Sequence, residues 1–221
     1  MINKLKYSLS KIDYKMFIAL LLFGLIPTLY TTFRIFLIGQ LPNEYGFSIA
    51  GQLQWVNVLY EVLQEAIILP MFFFIGAVVY NKDQLINRIK TGLISTLTLY
   101  FLLSLLIFIF ARPLVLLMAQ DKNILSQTVS FIRLETIAMI FSTTMKFIMV
   151  VLVTIKKDRN LYLVLLAQLF LTVTFDIFLV STYSFSLNLG VDGIAISNII
   201  VNFIVLLISL LLLYKNGAVK K

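Results

Sequence analysis

The sequence contains no cysteine and no histidine. Without thiols there is no disulfide framework and no thiolate nucleophile. Without imidazole, His-dependent zinc hydrolysis, haem ligation and Ser-His-Asp catalysis are excluded as well. Charge is scarce too: Asp, Glu, Lys and Arg make up 13% of the 221 residues, against about 25% in an ordinary globular domain. What fills the chain is hydrocarbon, with 61% hydrophobic residues, 19 of them Phe, and a mean hydropathy of +1.01. Such a composition excludes a soluble enzyme and a disordered chain. A bilayer-spanning helix takes about 20 mostly apolar residues, so this stock supports about six spans and leaves little mass for a soluble domain.

The apolar runs divide accordingly, and the expected fold is all-α: a polytopic membrane bundle of six helices. A basic N-terminus, residues 1–15, precedes a first span at Met16–Ile38, which is 23 residues and therefore too long for a signal-peptide core. Pro42, Asn43, Gly46 and Gly51 mark a linker, followed by a second span at Gln54–Tyr80 with Pro70 inside it. A third span at Thr91–Phe110 is closed by Arg112-Pro113. Leu114–Ala119 is a short apolar piece, and Asn123–Ile155 is 33 residues, about 50 Å as one helix. That exceeds a hydrocarbon core of about 30 Å, so the fourth span is expected at Glu135–Ile155, with the preceding turns outside the membrane. The fifth is expected at Leu161–Thr182 and the sixth at Val191–Tyr214, before a basic tail, residues 215–221.

The cations sort by side. Lys4, Lys6, Lys11 and Lys15, then Lys82, Arg88 and Lys90, then Lys156, Lys157 and Arg159, then Lys215, Lys220 and Lys221 fall on one face of the membrane. The opposite face has Arg112 and Lys122, while Arg34, Arg133 and Lys146 lie in or near spans. The positive-inside rule places both termini in the cytoplasm, which requires an even number of spans. The net charge of +8 is then a topology signal and not a nucleic-acid footprint.

Ionisable residues inside a bilayer cost about 2.5–3.5 kcal/mol each, so each wants a reason. At about 1.5 Å per residue, Arg34 lies about 28 Å beyond Lys15 and Asp176 about 26 Å beyond Arg159. Glu61 and Asn198 fall in the same outer-half layer. Nearer the midplane come Glu65, one turn from Glu61, together with Lys146, Gln168 and Asn202, and a Glu65–Lys146 pair is expected. Arg34 has an alternative, since it can snorkel past Ile38 to the outer interface. Arg133 and Glu135 are expected at that interface and not in a site. Asp176 has no such escape and must be paired, protonated or facing water. It either serves a functional site or anchors a static ion pair. Its matched depth and opposite charge make Arg34 the expected partner, the pair opening as access alternates. These eight residues, Arg34, Glu61, Glu65, Lys146, Gln168, Asp176, Asn198 and Asn202, are the candidate substrate or ion pathway.

Four stretches carry a family resemblance. Phe33-Arg34-Ile35-Phe36-Leu37-Ile38-Gly39-Gln40-Leu41 resembles the end of the first helix in MATE (multidrug and toxic compound extrusion) transporters. Phe110-Ala111-Arg112-Pro113-Leu114-Val115-Leu116-Leu117-Met118 resembles the Phe-x-x-Pro-Leu-Leu-x-Leu end of their third helix, and Lys156-Lys157-Asp158-Arg159 is loosely similar to their Gly-Asp-Thr-Arg loop, without its glycines. Thr172, Asp176 and Leu179, followed by Leu189-Gly190-Val191-Asp192-Gly193-Ile194-Ala195-Ile196-Ser197, resemble the family's fifth-to-sixth helix passage. The resemblance implies one six-helix lobe of a fold that normally has two, with the substrate passing between or within lobes. It also implies a cation-coupling role for the fifth-helix acid, matched by Asp176. The family's first-helix acid is replaced by Arg34 and its usual Asn by Thr172; an arginine there mimics a bound cation, attracting Asp176 by a few kcal/mol at about 4 Å and displacing sodium.

On that resemblance the chain is expected to be a half-size exporter of xenobiotics or organic cations in the plasma membrane. It would be driven by protons or sodium with no other cofactor, and would work as a parallel homodimer or beside a related lobe. A lipid-linked saccharide flippase of the same superfamily is the alternative within transport, although such proteins hold a diphosphate with several deep cations and here Arg34 and Lys146 are the deep ones. The substrate-binding membrane subunit of a vitamin importer is an alternative of another class. An enzyme is not expected: Glu61-x-x-x-Glu65 has no His, Cys or third carboxylate at hand to complete a metal centre.

Overall fold

The computed structural model describes residues 14–41 and 46–217. Lys4, Lys6, Lys11, Pro42, Asn43, Lys220 and Lys221 lie outside the described residues. Among the described residues seven helices follow one another: α1 (Tyr14–Gly39), α2 (Gly46–Ile67), α3 (Met71–Gly76), α4 (Lys82–Leu117), α5 (Leu125–Thr154), α6 (Asp158–Leu179) and α7 (Gly190–Lys215). Among the described residues there is no strand. Five stretches of the described residues are long and apolar enough to cross a bilayer, namely Gly46–Gly76, Lys82–Leu117, Leu125–Thr154, Arg159–Leu179 and Gly190–Lys215. The chain is an all-α membrane protein. Within α1 the described apolar segment, Gly24–Gly39, is shorter.

Helix ends differ from the expected spans where turn-forming residues do not stop the helix. The second helix already starts at Gly46 instead of near Gln54, so Gly51 lies inside it. It breaks at Pro70, which caps the short α3. The missing proline N–H leaves the Ala66 carbonyl without its usual donor, and just before it Leu69 N slips back to share the Gln64 carbonyl, at 3.3 Å, with the ordinary bond from Ile68 N. Arg112-Pro113 does not close α4, which runs from Lys82 through Pro113 to Leu117 and takes in most of the short apolar piece. A proline frees one carbonyl without ending a helix when packing holds both sides, and here Ala111 and Val115 are fully buried on either side of it.

The bundle is built around α5. It packs against α4 on one side and α7 on the other, α7 continues onto α6, and α6 holds α1. Phe131, Ile132, Phe147, Ile148, Val151 and Leu152 of α5 are all essentially inaccessible. Its threonines do not spoil this burial, because each hydroxyl bonds a carbonyl of its own preceding turn: Thr128 to Ile124, Thr143 to Met139 and Thr144 to Ile140, at 2.7–2.9 Å. By contrast α2 and α4 turn mostly apolar, exposed side chains outward, including Val58, Val62, Leu102 and Leu106. That is the distribution of a helix bundle solvated by lipid, which needs no polar exterior.

One close approach sets the joint between α6 and α7. Gly190 opens α7 with φ of +61°, a conformation natural to glycine. One turn on, a Cβ at Gly193 would lie 2.9 Å from the Leu179 carbonyl oxygen that ends α6. The amide of Leu189 donates to that same carbonyl at 2.8 Å, so the backbone cannot retreat. Gly193→Ala is expected to lower stability by about 1–3 kcal/mol, as overpacking does, read as a lower thermal midpoint in detergent. Gly76→Ala, whose methyl would meet Thr154 at an ordinary 3.7 Å, should leave the midpoint close to the parent.

Candidate functional site

The helices enclose a cavity of about 480 Å³, walled by α1, α2, α5, α6 and α7. Its lining sets polar side chains from all five helices among apolar ones. α1 contributes Tyr30 and Arg34; α2 contributes Gln54, Asn57, Tyr60, Glu61 and Gln64; α5 contributes Glu135, Ser142, Thr143 and Lys146; α6 contributes Gln168 and Thr172; α7 contributes Asn198 and Asn202. The α2 residues recur at intervals of three and four, which places them on one face of that helix.

At one level of the cavity sits an ion pair. Arg34 Nε donates to Asp176 Oδ2 at 2.8 Å and Nη2 to Oδ1 at 3.0 Å, a bidentate clamp between α1 and α6. Asp176 is 0% exposed and lies behind the guanidinium, so both its oxygens are spent on Arg34. The expected partnership is thus the one the fold makes, and Arg34 does not snorkel. Thr172, one turn earlier on α6, is buried beside the cavity.

Glu135 corrects the expectation that placed it at the outer interface. It is 1% exposed, three turns inside a helix that begins at Leu125, and its Oε1 accepts from Asn198 Nδ2 at 2.6 Å. Arg34, Glu135 and Asn198 therefore line the same cavity, with Asp176 immediately behind Arg34, and the guanidinium lies near enough to Glu135 to act on its charge without pairing with it. The signal is present in the chain: Glu135 is 20 residues from Ile155, about 30 Å by helical rise, level with Arg34. Arg133, two residues away, points elsewhere, its Nε donating to the Phe108 carbonyl and its guanidinium over the Phe108 ring.

The second polar level is also rearranged. Lys146 Nζ donates to Gln64 Oε1 at 2.8 Å, and Glu65 is exposed outside the cavity lining, so the expected Glu65–Lys146 pair does not form. A single residue of helix turns a side chain by about 100°. It is therefore Gln64, with Glu61 three residues before it, that faces Lys146, while Glu65 rotates away. Between the two levels Gln168 Nε2 donates to the Tyr30 hydroxyl at 3.3 Å, and Asn202 lines the wall. Asn57 Oδ1 is buried with no hydrogen-bond partner among the described residues. Six of the eight residues expected from the sequence line this one cavity, Asp176 backs it, and Glu65 stands apart. Among the described residues no three carboxylates gather into a metal cage.

The pair is a stability element whatever else it does. Removing one partner of a buried ion pair strands the other, at a cost of about 3–5 kcal/mol. Arg34→Ala strands the fully buried Asp176 and is expected to fall in that range. Asp176→Asn leaves Arg34 an anion at the same level in Glu135 and should cost less. The order of the two thermal midpoints in detergent checks this.

Compared with known protein families, curated proteins and solved structures, the chain matches none of them.

Proposed function

We propose that the chain is one lobe of a secondary carrier that moves small organic cations or hydrophobic xenobiotics out of the cell, with α1 as a sixth span. The observation that carries this reading is the cavity itself. Its volume of about 480 Å³ lies within the range of small-molecule sites, about 300–1,000 Å³. It is lined by the carboxylate of Glu61 and by Tyr30, Tyr60 and Phe47, groups that attract a cation through charge and through aromatic faces. Of the cations at the wall Arg34 is paired with Asp176, which leaves the Lys146 ammonium, bonded to the neutral Gln64 amide, as the one without an ion pair among the described residues. A diphosphate headgroup needs several uncommitted cations, so the lining favours organic-cation export over lipid-linked saccharide flipping.

In this reading both termini are cytoplasmic, following the lysine and arginine bias, and the membrane is the plasma membrane. The lobe works with a second one, as a parallel pair of copies or beside a related chain, and the coupling ion is a proton or sodium. The resemblance to one half of a two-lobe exporter supports such pairing, as does the loose attachment of α2 to the rest of the bundle.

Counterflow of a fluorescent organic cation into proteoliposomes tests the proposal. Ser142→Trp, which fills the cavity from α5, should abolish counterflow while leaving the helical content unchanged. Glu65→Gln, outside the cavity, should leave it within about twofold of the parent. Transport that is unaltered by Ser142→Trp, or absent for every organic cation offered, overturns the reading.

A further inference from the structure

We infer that Glu135 holds an exchangeable proton inside the membrane and that the Arg34–Asp176 clamp keeps it there. The starting point is a count of charge at one level of the cavity. One guanidinium, Arg34, serves two carboxylates, Asp176 and Glu135. Were all three ionised, the level would carry one uncompensated negative charge in a medium that solvates it poorly, a state that proteins avoid by neutralising the group. The geometry decides which acid gives way. Both oxygens of Asp176 are taken by Arg34 in a bidentate fork, the arrangement that most favours the ionised form. Glu135 has a single neutral donor, the Asn198 amide on Oε1. A protonated carboxyl keeps that bond, because its carbonyl oxygen still accepts. The second oxygen is then free to carry the proton on the cavity side.

The groups around Glu135 support the assignment. From α1 come Arg34 and the neutral hydroxyl of Tyr30; from α2 come Tyr60, bonded to Ser104, and Glu61 at the wall; from α6 comes Asp176; α7 presents the uncharged Asn198. On α5 itself Lys146 lies three turns away and bonds Gln64. Among the described residues, then, no second cation answers Glu135 at its own level. A bound metal ion is disfavoured by the same guanidinium that the proton tolerates: a covalent proton leaves the carboxyl neutral beside Arg34, whereas a sodium ion would add a second positive centre. Release follows the clamp. When Arg34 leaves Asp176 for Glu135, Glu135 ionises and gives its proton to water in the cavity, and the freed Asp176 takes a proton up from that water, so the level still carries one guanidinium and one carboxylate. This deepens the carrier reading, on which it rests, by naming where the coupling ion resides.

Infrared difference spectra of the full chain in lipid nanodiscs, recorded between acid and alkaline buffer without any transport substrate, test the assignment. The parent and Glu65→Gln should show the carbonyl stretch of a buried carboxylic acid, shifted in heavy water, and Glu135→Gln should lose it. Asp176→Asn should lose it as well, since Arg34 then turns to Glu135, and that variant decides the matter alone if Glu135→Gln does not fold. A band that survives either substitution, or that is missing from the parent at every pH, overturns the inference. So does a band abolished by sodium at constant pH. Because no substrate is present, the failure of the carrier reading in counterflow and the failure of the proton site show up in separate measurements.

Discussion

The bidentate bond between Arg34 and Asp176 is the constraint around which the rest of the molecule is arranged. Each charge alone would be intolerable at its depth, and together they hold α1 against α6, the helix on which α1 chiefly packs. Asp176 is brought there by a joint that has no slack. Gly190 and Gly193 let the start of α7 press on the end of α6, so that Asp176 on one helix and Asn198 on the other reach the same level. Asn198 in turn holds Glu135 of α5. Four helices therefore converge on one charged level through two hydrogen-bonded contacts and one glycine-mediated approach.

The polar lining follows from this convergence. α5 is buried around most of its circumference, and its buried threonines satisfy their hydroxyls along the helix. α2 is different in kind. From Gln54 to Gln64 it lines the cavity with polar side chains, it exposes apolar residues on the other side, and it makes sparse contact with its neighbours. The cavity thus has a closely packed α5–α7 side and a lightly packed α2 wall.

Much of the charged level is legible in the sequence. Rise per residue and the alternation of spans place Arg34, Asp176 and Asn198 at one depth, because a helix confined to a bilayer converts sequence position into height. Rotation about the helix axis is not legible in the same way. The Glu65–Lys146 pairing fails by one residue, since height is set by a count while facing is set by packing, and Gln64 is the side chain that packing turns inward. Glu135 escapes a reading in which its span begins at the glutamate itself. The helix begins ten residues earlier, at Leu125, and a carboxylate three turns inside a helix cannot be treated as an end. Pro70 and Pro113 show the same limit: both remove one backbone donor, yet one breaks its helix and the other is carried through, a difference that rests on what lies against each.

What the sequence determined by itself is the solvent and the vertical order. The absence of Cys and His, the shortage of charge and the long apolar runs admit a lipid-solvated helical bundle and little else, and the spacing of the few charges sets their heights. What the tertiary structure decided is which of those charges meet. Arg34 took Asp176 and left Glu135 to an amide, Lys146 took an amide in place of a carboxylate, and Glu65 was left outside. The physical reason is that in a low-dielectric interior the energy of a charge depends on partners within a few ångströms. Only the packing of helices distant in sequence sets distances of that size.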